Sequence, residues 1–268
     1  MHFGNELRND VLLLLDGSNM PKSEPYQKCW ANSLGDCGGP MSAEHIFSKA
    51  IGRKGPKTEL SVKGMANMPD QSIGFDWPKA RILCARHNSI LSPLDSEAQK
   101  LAEALHRFVD RTPQTTVHLN GPLLERWTIK TVINFMAAGF AHNDKWLPDD
   151  NLTRIAFGLN PLPDECGLYF LRVDGYTPIS TEQAGITPAW AGQVDGRPTD
   201  CMGAVVYLHG ATFFLLLNRY FLDVLRDNRL NLMESSFPLT FDRLRYHPAS
   251  AQLDDNQGHT LLVQFDWD

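Results

Sequence analysis

Cys84-Ala-Arg-His87, with Cys29 and Cys37 well upstream, constrains this chain more than any other feature. Thiolates and imidazole are the ligands Zn²⁺ prefers, and four of them close a tetrahedral shell. The set predicts that two distant stretches are pinned together by a structural zinc ion. Three of the five cysteines lie within one stretch of 56 residues, beside a Cys-x-x-His pair, which inert buried cysteines do not require. Cys166 and Cys201 stand alone and read as free thiols, so the cysteine pattern favours a reducing compartment and a cytoplasmic protein.

A second set of residues has harder chemistry. Glu44 and Asn88 offer oxygen ligands suited to Mg²⁺ or Mn²⁺, and His45 is a base whose pKa lies near working pH. Ser42-Ala-Glu-His-Ile46 upstream and Leu83-Cys-Ala-Arg-His-Asn-Ser89 downstream together resemble the HNH branch of the His-Me finger (ββα-metal) endonucleases. Those proteins carry Asp-His or Glu-His on the first strand of a β-hairpin, and a Cys-x-x-Cys pair followed by Asn or His at the start of the next helix. The layout is similar to the phage recombination endonuclease type, with Asn directly after the last zinc ligand and His87 in place of the final cysteine. The resemblance covers roughly residues 25–110. It departs from the family in two places. Cys29 and Cys37 are separated by seven residues instead of two, and no Asn stands shortly before Cys84, so the residue that orients His45 is unassigned. The wider loop, Trp30 to Asp36, would turn on Gly35, Gly38 and Gly39 as positive-φ positions.

Net charge is −6, which at first argues against a nucleic-acid partner. Residues 1–140 carry 16 basic and 14 acidic side chains, while residues 141–268 carry 9 and 17. Within residues 45–90 eight basic residues face three acidic ones, so positive charge concentrates around the metal motifs, as phosphate binding requires. Lys49, Arg81 and Arg86 lie nearest the proposed ligands and are the expected phosphate contacts. The other lysines and arginines of the 53–63 stretch have the turn chemistry of a solvated loop. The apolar runs Val11–Leu15 and Ala211–Leu217 are too short to span a bilayer, so no membrane association is expected.

The expected fold class is α+β: a zinc-stabilised ββα-metal, treble-clef-like nuclease module, then a helix, then a C-terminal antiparallel-sheet α+β domain. The divisions are 1–24, an N-terminal segment; 25–115, the nuclease-like unit; 116–145, a connecting buried helix; and 146–268, a domain of unassigned role. Strands are expected near Met41, over Glu59–Val62 and over Ala80–Leu83. Pro93 suggests a short turn first, with the main helix capped by Asp95 or Ser96 and striped by Leu101, Leu105, Phe108 and Val109. Leu123 to Gly139 reads as a second, buried helix ended by glycine. Later strands are expected over Gly167–Val173, Ala204–Leu208, Thr212–Leu217 and His259–Phe265, with Tyr176–Thr199 as loop and His209-Gly210 as a tight turn.

The resemblance implies hydrolysis of phosphodiester bonds, with DNA the favoured partner. His45 would be the general base, and Glu44 and Asn88 would hold a catalytic Mg²⁺ or Mn²⁺ separate from the structural Zn²⁺. The C-terminal half would take a regulatory partner or ligand. Two rivals remain open: a zinc-stabilised nucleic-acid-binding module without catalysis, and a protein-interaction domain. Neither has a use for the Glu44-His45 dipeptide or for Asn88.

Overall fold

A computed structural model describes residues 26–48, 51, 59–62, 71–74, 79–109, 116–140, 146–171, 184–194, 197–208, 211–219, 244–246, 250–254 and 258–267. The expected N-terminal segment, the basic positions Arg53, Lys54, Lys57 and Lys63, and Lys49 lie outside the described residues. The architecture is mixed α+β. Among the described residues no helix is long and apolar enough to cross a membrane.

The first unit is a hairpin followed by a helix. Strand β1 (Met41–His45) pairs antiparallel with β4 (Lys79–Cys84), Met41 facing Cys84 and His45 facing Lys79. Between Ser42 and Glu44 the register slips, because β4 advances three residues while β1 advances two. That is a bulge, a device that re-aims side chains. A smaller hairpin, β2 (Glu59–Val62) with β3 (Gln71–Gly74), lies between the two strands; the sequence signals β2 and gives no sign of β3.

Helix α1 (Ala85–Val109) follows β4 directly. It runs through Pro93, contrary to the expected break and the expected cap at Asp95 or Ser96. Proline removes one N–H and leaves the carbonyl four residues earlier without its helical donor. Here both Ser89 and Pro93 are exposed, on the solvent side of the helix, where a freed carbonyl costs least. Leu91, Leu94, Leu101, Leu105 and Phe108 supply the buried stripe.

Helix α2 (Gly121–Ala137) is buried on nearly its whole circumference, as its composition suggests. The Asn120 carboxamide oxygen caps its start by accepting from Leu123 N–H. At its end Gly139 is at φ 79°, with Gly139 N–H bonded to Met136 C=O and Phe140 N–H to Phe135 C=O. This closing pattern satisfies the last carbonyls and needs a left-handed residue. A short helix α3 (Asp150–Ala156) follows, capped by Asp149.

The later strands form two sheets. One is antiparallel and five-stranded, in the order β10-β6-β9-β8-β7, from β6 (Gly167–Leu171), β7 (Ala184–Val194), β8 (Arg197–Leu208), β9 (Ala211–Leu216) and β10 (Leu244–Tyr246). Strand β7 and the start of β8 occupy the stretch expected to be loop. Pro188 is tolerated there because β7 is an edge strand, where a missing N–H need not interrupt a ladder. Leu208 pairs with Ala211, which leaves two connecting positions; His209-Gly210 themselves lie outside the described residues.

The other sheet has the order β11-β12-β5, from β5 (Thr116–Asn120), β11 (Ser250–Asp254) and β12 (Thr260–Asp266). Strand β12 runs parallel to β5, Leu262 facing Thr116 and Asp266 facing Asn120. One contiguous apolar core reaches from Cys29 through α1 and α2 to Phe265.

Candidate metal centre

The hairpin and the start of α1 gather the four predicted ligands. Their ligating atoms all lie within 4.8 Å of one another. His87 Nδ1 stands 3.4 Å from Cys29 Sγ, 3.6 Å from Cys37 Sγ and 3.3 Å from Cys84 Sγ. A tetrahedral ion with ordinary Zn–S and Zn–N bond lengths requires S···N edges of about 3.6 Å. The donor set and its spacing fit a metal ion such as zinc.

Local backbone chemistry builds the cluster. Cys84 ends β4 and His87 lies in the first turn of α1, so the strand-to-helix junction supplies two ligands three residues apart. The Cys29–Cys37 loop contains a 3-10 turn over Asn32–Leu34 and bends at Gly35 (φ 79°) and Gly39 (φ 71°). Gly38, expected to share that role, does not have positive φ among the described residues. The loop is fastened to the junction by Ala85 N–H to Pro40 C=O (2.8 Å), Arg86 N–H to Gly38 C=O (3.1 Å) and Trp30 N–H to Ile82 C=O (2.9 Å). Backbone N–H groups also point at sulfur: Gly38 and His87 donate to Cys84 Sγ, and Cys84 donates to Cys29 Sγ. Such donors stabilise thiolate.

Burial pushes the Cys29 thiol above its ordinary value, and burial with the neighbouring thiols pushes Cys37 up strongly. At Cys84 burial acts upward too, but the N–H groups of His87 and Gly38 and the neighbouring thiols outweigh it, and the thiol lies below its ordinary value. The other edge of the His87 ring meets Asp36, Nε2 to Oδ1 at 2.7 Å, and Phe157 packs edge-on against the ring at 5.2 Å between centroids. The sequence reading missed Asp36. Its signal was an acidic side chain directly before a ligand cysteine.

The second set is arranged differently. Asn88 is on α1 immediately after the last ligand, and its Nδ2 donates to Ser42 Oγ on β1 at 2.8 Å. His45 ends β1, half-buried, with Nε2 shielded from solvent. Glu44 is 6% exposed, and its carboxylate meets Lys130 Nζ of α2 at 2.7 Å and Asn134 Nδ2 at 3.4 Å. Glu44 and Asn88, the expected Mg²⁺ pair, have different described partners, and the Glu44 carboxylate is engaged by Lys130 and Asn134.

Lys130 is 2% exposed and also bonds both oxygens of Asp95, at 3.0 and 2.8 Å. Burial lowers its affinity for a proton, but the Glu44 and Asp95 carboxylates outweigh that and hold its pKa above the ordinary value. Burial pushes the Glu44 carboxyl up, with Lys130 opposing. Asn134 also accepts from Trp30 Nε1 at 2.9 Å, which ties this network to the residue beside Cys29. Lys130 and Asn134 were absent from the sequence reading. A lone lysine in the apolar run Trp127–Met136 was the available signal.

Of the expected phosphate contacts, Arg81 is exposed on β4. Arg86 is half-exposed and paired with Asp36, Nη2 to Oδ2 at 2.9 Å. Comparison with protein-family models, curated proteins and solved structures finds no match to this chain.

Proposed function

We propose that the chain is a metal-dependent endonuclease of the HNH kind, hydrolysing nucleic-acid phosphodiester bonds, with DNA the favoured substrate. One observation carries the reading: a loop, hairpin and helix close on the Cys29, Cys37, Cys84, His87 cluster, with His45 ending the first strand and Asn88 following the last ligand. His45 would take a proton from the attacking water, a role suited to a base that is neutral near pH 7. Arg81 would meet the phosphodiester from the exposed side of β4. A divalent ion, when bound, would offset the charge that develops on the phosphoryl and leaving oxygens. Asn88 would hold that ion through Oδ1, and Glu44 would join it only by giving up Lys130.

The Glu44–Lys130 pair favours a second reading, a zinc-stabilised nucleic-acid-binding module without catalysis. Supercoiled plasmid incubated with the purified protein in Mg²⁺ or Mn²⁺ separates the two. Nicking that needs the added ion, and that His45→Ala reduces by roughly 10²- to 10⁴-fold, is the expected result. Plasmid retention without cleavage in either ion would establish the binding module instead. Failure to bind or cut DNA or RNA would remove both.

A further inference from the structure

We infer that Asp36 is part of the metal centre as the positioning residue of His87, and that Arg86 belongs with it as the counter-charge of that carboxylate. The inference goes beyond the proposed activity and stands whether or not the chain cuts nucleic acid.

A carboxylate can only accept a hydrogen bond, so the 2.7 Å contact from Asp36 Oδ1 requires the proton on His87 Nε2. The lone pair of the neutral ring is then on Nδ1, the nitrogen that faces the three sulfurs at 3.3 to 3.6 Å. His87 itself is fully buried, and the half-exposed Asp36 carboxylate stands between its Nε2 and solvent. With Asp36 at one edge and Phe157 against the ring, the imidazole is fixed in both tautomer and direction. Outer partners of this type orient metal-bound histidine and raise its basicity.

Charge explains the arginine. Three thiolates and a neutral imidazole around a divalent cation carry one net negative charge, and a bare carboxylate beside them would add another. Arg86 Nε and Nη2 both meet Asp36 Oδ2, at 3.0 and 2.9 Å, and offset it. Both residues are on elements that also carry ligands: Asp36 precedes Cys37 in the loop, and Arg86 precedes His87 on α1. The pair therefore bridges the two halves of the metal cluster from outside. This gives Arg86 a role at the metal centre in place of the phosphate contact its position suggests.

The test compares Asp36→Ala, Asp36→Asn and Arg86→Ala in the full chain. Zinc affinity is read by competition with a chromophoric chelator, and the His87 ring tautomer by ¹⁵N–¹H correlation in the zinc-loaded protein. Asp36→Ala should weaken zinc by roughly 10- to 100-fold. Asp36→Asn keeps an acceptor for Nε2–H, so it should retain the Nδ1-bound tautomer and recover part of the affinity. Arg86→Ala should weaken zinc by less than Asp36→Ala. Unchanged affinity and tautomer in Asp36→Ala would overturn the assignment. If Asp36→Ala retains too little zinc to measure, Asp36→Asn decides: partial recovery supports the role, and an equal loss refutes it.

Discussion

Two clusters of ionisable side chains share one core and are joined through Trp30 and Asn134, yet they solve opposite halves of one electrostatic problem. In the first, Cys29, Cys37, Cys84 and His87 face one another, and among the described residues no lysine or arginine pairs with the sulfurs. In the second, Glu44 and Asp95 face Lys130, a cation supplied by the chain itself. Grouped buried anions are tolerable only when a positive charge sits among them. The carboxylates have theirs from α2, and the thiols are arranged for one from solution. The contrast shows why the cysteine cluster could hold a metal ion, whereas Glu44, despite suitable oxygen atoms, is already engaged.

The largest expected effect comes from taking the external cation away. Binding of a structural zinc by small domains is worth about 10–16 kcal/mol at neutral pH. Purified protein should therefore contain about one zinc per chain. Its removal should lower amide-exchange protection in residues 29–48 and 79–90 far more than in β8 and β9. A zinc-free protein with unchanged protection would end the contrast between the clusters.

Next in size is loss of the internal cation. Lys130→Met leaves the buried Glu44 carboxylate facing the partly exposed Asp95 and should cost about 3–5 kcal/mol in denaturant melts. Adding Glu44→Gln should return part of that loss; an additive double variant would show that the pair is not coupled. The sign of the pH dependence follows from the raised Lys130 pKa. Its stabilisation is fully present below the unfolded lysine value, about 10.4, and fades as pH rises through the folded value. The gap between wild type and Lys130→Met should hold steady from neutral pH to about 10 and then shrink.

The link between the clusters should be worth less. Trp30→Phe keeps the packing but leaves Asn134 Oδ1 without its donor, for a loss of about 1–3 kcal/mol. Normal zinc content in that variant would show that the clusters are energetically separate. The smallest effect on stability belongs to Asn88→Ala, which removes one exchangeable bond to Ser42, about 0.5–1.5 kcal/mol, while leaving zinc in place. The same change should lower any nuclease activity, with partial recovery in high Mn²⁺. Zinc loss from Asn88→Ala, with His87→Ala stable and metal-loaded, would mean the ligand register is off by one residue.

The metal cluster was legible because its chemistry is local: Cys84 and His87 are three apart, and thiolates have few other reasons to gather. The buried helix and its glycine end were legible for the same reason, since composition and a capping residue act within a few positions. What escaped notice depended on distant partners. Nothing near Glu44 announces Lys130, 86 positions later in sequence, and the two meet only because α2 packs beside the hairpin. Strand β7 escaped because Gly185, Pro188 and Gly192 have turn propensity, and pairing with β8 overrides it. Pro93 misled in the opposite direction, as an exposed position removed the cost that normally ends a helix there.

The pairing of β12 with β5 has a consequence in time. Thr116 waits for Leu262, 146 positions later in synthesis, before it gains its neighbour. At about 5–20 residues per second, that is roughly 7 to 30 seconds during which β5 presents an open edge beside helices that can already dock. Contacts of such long sequence separation slow folding, because loop closure must precede their reward. A nascent chain halted before residue 260 would therefore carry all four Cys and His side chains of the cluster together with a strand still waiting for its partner.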